Sequence, residues 1–103
     1  MIAAVRNKQT IISRLKANSG KLKSFGVERL SIFGSFVTGE PIAESDVDFL
    51  IDFVPEKKSY DNFIELSFYL EDLLGRKVEI VTPQSLSKHI GPHILHNAEY
   101  VAL

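Results

Sequence analysis

The stretch GSFVTGEPIAESDVDFLID, Gly34 to Asp52, holds the residues best suited to chemistry. Asp46 and Asp48 stand two apart in SDVDFLIDF, a segment that alternates like a strand, and residues i and i+2 of a strand face the same side. Two carboxylates at one locus, with no Cys or His beside them, suit Mg²⁺, which keeps several waters and takes substrate phosphates as its remaining ligands. Gly34-Ser35 closes the preceding apolar run VERLSIF. A glycine lets an anion approach the backbone, successive amides can form an anion-binding nest, and the serine hydroxyl adds a donor. Each signal has a plainer reading. Gly-Ser after a strand also makes an ordinary turn, and a bare Asp-x-Asp also fits a turn cap plus a solvated carboxylate. Together they suit nucleotidyl transfer, in which metal ions bridge triphosphate oxygens and neutralise developing charge. Glu79, alone between Val78 and Ile80 in KVEIV, is the candidate third carboxylate, to complete a second metal site or accept the nucleophile's proton. It fits equally an acid on the outward face of a strand.

The elements that must hold these residues are legible from periodicity. Ile11, Ile12, Leu15, Leu22 and Phe25 recur at helical spacing and predict a helix from about Asn7 to Phe25, stopped by Gly26. Val27, Leu30, Ile32 and Phe33 predict a mostly buried strand, and the segment from Val37 to Ser45, with Gly39 and Pro41, a loop. Val47, Phe49, Ile51 and Phe53 point one way from the next strand, and Asp46, Asp48, Leu50 and Asp52 the other. Ser59 is the expected N-cap of a helix reaching Leu74, with Phe63, Leu66, Leu70, Leu73 and Leu74 as its core stripe and Gly75 as its stop. After the strand Lys77 to Val81, Thr82-Pro83 starts a short helix through about Ser87. A last helix from Gly91 or Pro92 carries Ile94, Leu95, Tyr100 and Val101. The expectation is one domain over residues 1–103, α/β or α+β, with a small three-stranded sheet covered by helices.

Composition narrows the function classes. The 103 residues are 45% apolar and 24% charged, ordinary for a soluble globular chain. Twelve basic against 13 acidic residues give a net charge of −1, which argues against a nucleic-acid binder that relies on a basic face. With no cysteine, disulfides and thiolate zinc sites are excluded. No apolar run is long enough to span a membrane and the N-terminus lacks a signal-like apolar region, so the expected location is the cytoplasm. No P-loop pattern is present.

Gly34-Ser35, ten intervening residues and Asp46-x-Asp48 match the G-S-x10-D-x-D signature, and in this the chain resembles the minimal nucleotidyltransferase (MNT) family of the DNA polymerase β-like superfamily. GRKVEIVTPQSL resembles the family's third-carboxylate strand, and HILHNAEYV its closing helix, so the likeness runs from about Phe25 to Val101. The resemblance implies a nucleotidyltransferase-like fold. It implies that Gly34 and Ser35 hold the β,γ-phosphates of ATP, that Asp46 and Asp48 bind Mg²⁺, with two ions expected, and that Glu79 helps activate an acceptor hydroxyl. It also implies an antitoxin that transfers AMP to a tyrosine of a HEPN-domain ribonuclease toxin. The chain departs from the family at three positions: Glu79 stands where aspartate is usual, and Val37-Thr38 replaces the common Ala-Arg, removing an arginine that could clamp phosphate. These departures keep open a second reading, a binding module that neutralises its partner by contact alone.

Other residues weigh less. His89, His93 and His96 cluster, but Pro92 interrupts them and no acid or cysteine joins them, so a partner-facing surface is the simpler expectation. Of Tyr60, Phe63, Phe68 and Tyr69, either Phe68 or Tyr69 is expected to face outward. Lys57-Lys58 and Arg76-Lys77 read as solvated element ends. An exposed sheet edge leaves a homodimer open.

Overall fold

Asn7 starts the first helix, its side chain accepting from the Thr10 amide at 2.8 Å. The computed structural model describes residues 5–38, 46–85, 91 and 96–103. Helix α1 spans Lys8–Ala17 and α2 Ser19–Ser24, so the single helix expected here is two. The break falls at Asn18, whose side chain donates back to the Arg14 carbonyl at 2.9 Å, the local competition with helical backbone typical of asparagine.

Strand β1, Val27–Phe33, leads through Gly34 into the single turn α3, Ser35–Thr38. Strand β2 is Val47–Phe53. Helix α4, Tyr60–Leu74, is capped by Ser59, which accepts from the Asn62 amide, and ends at Gly75 with φ 69°. Strand β3, Val78–Val81, follows, then a 3₁₀ turn over Pro83–Ser85 and strand β4, Glu99–Val101.

The sheet order is β3-β2-β1-β4. Strand β1 is antiparallel to β2 and β4, whereas β2 and β3 are parallel across the α4 crossover. The fold is therefore the expected mixed sheet with helices, but with four strands. The fourth overturns one expectation: Tyr100 and Val101 lie on a strand, not on the last helix. Their burial follows a period of two, Val101 in the core and Tyr100 exposed, and an aromatic followed by a β-branched residue suits a pleated edge. His96 and Asn97 just before it are helical, whereas Pro92, Ile94 and Leu95 of the expected helix lie outside the described residues.

One face of the sheet makes the core. Leu30 and Ile32 of β1, Val47, Phe49 and Ile51 of β2 and Ile80 of β3 form one cluster with Ile11, Leu15 and Leu22 of the first two helices and Leu66, Leu70, Leu73 and Leu74 of α4. Among the described residues no polar or charged side chain is buried. The register then fixes the opposite face: Arg29 lies beside Asp52, Ser31 between Leu50 and Tyr100, and Asp48 between Phe33 and Glu79.

Candidate functional site

Strand pairing alone puts the first two parts of the site together. Asp48 is level with Phe33 at the end of β1 and with Glu79 on β3. Gly34, one residue beyond Phe33, has φ 81°, a left-handed conformation that side chains resist. A Cβ there would run into Oδ2 of Asp48. The turn is thus pressed against the carboxylate, and glycine is needed both for the backbone angle and for the close approach. Ser35 opens α3, whose Val37 amide donates to the Gly34 carbonyl at 3.0 Å. Phe36 anchors the turn from below, buried in the core with the Arg76 guanidinium 5.3 Å from its ring centre.

The opposite neighbour is held from α4. Glu71, on its last turns, accepts the Val78 amide at 3.2 Å, and the Val47 amide donates to the Lys77 carbonyl at 3.0 Å. These contacts set the start of β3 against β2 and place Glu79 beside Asp48. Asp46, just before β2, is exposed, Asp48 is half-buried, and Glu79 is exposed.

Electrostatically the three carboxylates form one group centred on Asp48. Burial first, then the charges of Glu79 and Asp46 and a hydrogen bond with the Glu79 side chain, push the Asp48 carboxyl from the ordinary 3.8 to about 6. Carboxylates that close repel one another when all are ionised, and a bound cation would relieve the repulsion. Their all-oxygen donor set, open to solvent on one side and adjoining a glycine turn, fits Mg²⁺. Among the described residues no group of three His, Cys, Asp or Glu is arranged as an ion-holding cage. An ion that keeps its waters and takes ligands from substrate phosphate needs none.

The sequence pattern of the nucleotidyltransferase domain family matches residues 10–101. The chain belongs to this family. The similarity is strong at the level of single proteins too. The chain is 44% identical over 94 residues to protein adenylyltransferase MntA of Thermococcus cleftensis, covering 90% of this chain and 94% of that one. It is 38% identical over 77 residues to a chain of Methanocaldococcus jannaschii described as a candidate protein adenylyltransferase, covering 75% of this chain and 82% of that one. A solved structure described as a candidate minimal nucleotidyltransferase superposes with a TM-score of 0.79 at 28% identity, over 98% of this chain and 100% of that one. A toxin–antitoxin complex solved with AMP-PNP superposes with a TM-score of 0.64 at 21% identity, over 94% of this chain and 73% of that one, which speaks for the fold.

Other expected features of the nucleotidyltransferase fall differently. Arg76 is not a solvated end: it is half-buried, and its Nε donates to the Val5 carbonyl at 2.6 Å while its head lies over Phe36. It ties the N-terminal segment to the turn that carries Ser35, a role that a basic pair at an element end does not betray. Of Phe68 and Tyr69 it is Phe68 that faces outward, as Tyr60 does at the start of α4, and Tyr69 packs toward the core with its ring 5.4 Å from that of Phe25. His89 and His93 lie outside the described residues, as do residues 39–45 of the expected loop, and His96 is exposed. No helix among the described residues is long and apolar enough to cross a membrane.

The raised Asp48 value gives the nucleotidyltransferase a pH signature. The folded protein holds this proton more tightly than an unfolded chain with the ordinary value, so without metal the fold loses stability as pH rises from 3.8 to about 6. A metal held by Asp48 would have to displace the same proton. Mg²⁺ or Mn²⁺ affinity, measured by calorimetry, is expected to fall about tenfold between pH 7 and pH 5, with proton release on binding that vanishes above pH 7. A flat profile would dissociate Asp48 from the metal.

Proposed function

We propose that this nucleotidyltransferase is a Mg²⁺-dependent protein adenylyltransferase and the antitoxin of a two-protein system. It transfers AMP from ATP to a hydroxyl of a cognate HEPN ribonuclease toxin, with tyrosine as the acceptor, in the cytoplasm. The observation that carries the reading is the placement of Asp48 between the Gly34 turn and Glu79. The identity to protein adenylyltransferase MntA across nearly the whole of both chains supports the same chemistry.

In this reading Gly34 and Ser35 receive the β,γ-phosphates, and Asp46, Asp48 and Glu79 hold Mg²⁺, which supplies charge neutralisation at the phosphates when bound. The acceptor oxygen forms a bond to the α-phosphorus, the bond from the α-phosphorus to the bridging oxygen breaks, and pyrophosphate departs. The hydroxyl proton passes to a carboxylate, with Glu79 assigned that role. With Thr38 in place of the usual arginine, the remaining phosphate contacts fall to the turn itself.

The protein is mixed with the product of the neighbouring gene, Mg²⁺ and α-labelled ATP, and the partner is digested to locate the label. Label on one hydroxyl of the partner, with loss of its ribonuclease activity, is the expected result. Silencing of the partner without nucleotide, unchanged in an Asp46→Asn variant, would establish neutralisation by contact instead. The Glu79 and Thr38 departures are what favour that second reading.

A further inference from the structure

The open face of the sheet continues past the carboxylates into a groove of about 600 Å³, lined among the described residues by Arg29, Ser31, Leu50, Asp52, Pro83 and Tyr100. We infer that this groove is the acceptor subsite, and that it receives an extended segment of the protein acceptor carrying a carboxylate within about four residues of the reacting hydroxyl. The inference rests on the transfer reading above and adds to it which part of the partner is read, and by which residues.

Three observations point there. The first is direction. The Gly34 turn, Asp48, then Leu50 with Ser31, then Asp52 with Arg29 succeed one another along the strands. Pyrophosphate leaving from the turn requires the attacking oxygen on the far side of the α-phosphate, roughly in line; with the turn at one end of this row and the groove at the other, an acceptor lying in the groove would approach from that side. The nucleoside hangs from an equatorial oxygen and does not compete for this approach.

The second is the way the chain builds the groove. The register between β1 and β2 shifts between Val27 and Arg29, where Val27 pairs with Phe53 but Arg29 with Asp52. Without that bulge Val27 and Arg29 would share a face. With it Val27 turns into the core, the re-aiming of a side chain that bulges perform, while Arg29, alternating with buried Leu30 and Ile32, stands exposed and has this end of the open face to itself.

The third is chemistry. Leu50 is only 8% exposed yet does not belong to the core cluster. It forms an apolar floor, with Tyr100, 59% exposed, as a wall. The Arg29 guanidinium lies 5.6 Å from the Tyr100 ring centre. A guanidinium stacked on a ring keeps its N–H edges for a carboxylate. Asp52, level with Arg29, offers an acceptor for a donor of the segment. Rows of side chains on β2 are about 7 Å apart, so Arg29 lies about 14 Å along the strand from the Asp48 row, which is four residues of extended chain.

Two measurements test this on the full chain and its partner. Benzoylphenylalanine placed at Tyr100 is irradiated in the complex and the cross-linked peptide is identified. The expected peptide includes the hydroxyl that receives AMP. In parallel, an Arg29→Glu variant is expected to raise KM for the partner at least tenfold with kcat little changed and MgATP affinity intact. Reversing the acid near the acceptor hydroxyl to lysine is expected to restore KM. Cross-links elsewhere on the partner, or an Arg29→Glu variant with wild-type KM, would overturn the inference. Loss of MgATP affinity in that variant would assign the groove to the nucleoside instead. If the wild type transfers no AMP, the function reading fails and the inference with it, whereas transfer at wild-type KM in Arg29→Glu overturns the inference alone.

Discussion

Replacing Asp48 with asparagine is expected to cut AMP transfer by at least ~10³-fold and, at neutral pH without metal, to make the protein more stable than the wild type. Asparagine keeps the shape of the side chain and removes its charge. In the proposed site the variant would lose a metal contact, and with it charge stabilisation of several kcal/mol at the transferring phosphate, each 1.36 kcal/mol being about tenfold in rate. The stabilisation has a separate cause. The Asp48 carboxyl is held near 6 by burial and by the charges of Glu79 and Asp46, so its ionisation at pH 7 opposes folding. The group is only half-buried, and solvent screening leaves a modest effect, a rise in Tm of about 2–4 °C. Mg²⁺ with ATP should reverse the order, raising the wild-type Tm and leaving the variant unmoved. Transfer at the wild-type rate would remove Asp48 from the chemistry. An unchanged or lowered metal-free Tm would show that the carboxylates do not repel one another as their spacing requires.

That the sequence exposes Asp48 and not Arg29 has a physical reason. Asp46, Asp48 and Gly34-Ser35 act through local features: side chains alternate along one strand, and a glycine marks a turn. Both can be read within twenty residues. Glu79 could be named but not placed, because its position beside Asp48 depends on the parallel pairing of β2 and β3 across α4. Arg29 and Tyr100 could not be placed by periodicity alone. Alternation with Leu30 and Ile32 gives the first its face, but its place level with Asp52 depends on the pairing of β1 with β2 across a register shift. The second sits on a three-residue strand that exists because β1 offers it an edge, with helical His96 and Asn97 immediately before it. Helix α4 was legible because its cap, its stripe of leucines and its terminal glycine all agree. The division of the N-terminal helix was not, since Asn18 turns its side chain onto its own backbone instead of breaking the apolar pattern.

Gly34→Ala should also cut transfer severely, while moving stability the opposite way from Asp48→Asn. Alanine at φ 81° pays a left-handed penalty of about 1–2 kcal/mol. Its Cβ also meets Oδ2 of Asp48, so either the turn or the carboxylate must shift. Displacement of about 1 Å at a reacting centre costs ~10²-fold in rate, and retreat of the turn removes phosphate contacts as well. Transfer is therefore expected to fall by at least ~10²-fold with a clear loss of MgATP affinity, and Tm by about 4–8 °C per kcal/mol lost. Asp48→Asn relieves a repulsion, whereas Gly34→Ala forces a side chain into the space that the same carboxylate occupies. The double variant tests whether the two residues form one structure: the carboxamide that replaces Asp48 still fills that space, so the alanine penalty should persist in it. Gly34→Ala combined with Asp48→Ala, which empties the space, should recover the part of the lost Tm that came from the collision and keep only the backbone penalty. Full additivity in that second pair would mean that the turn and the carboxylate do not touch. A wild-type rate in Gly34→Ala alone would mean that phosphate is held elsewhere.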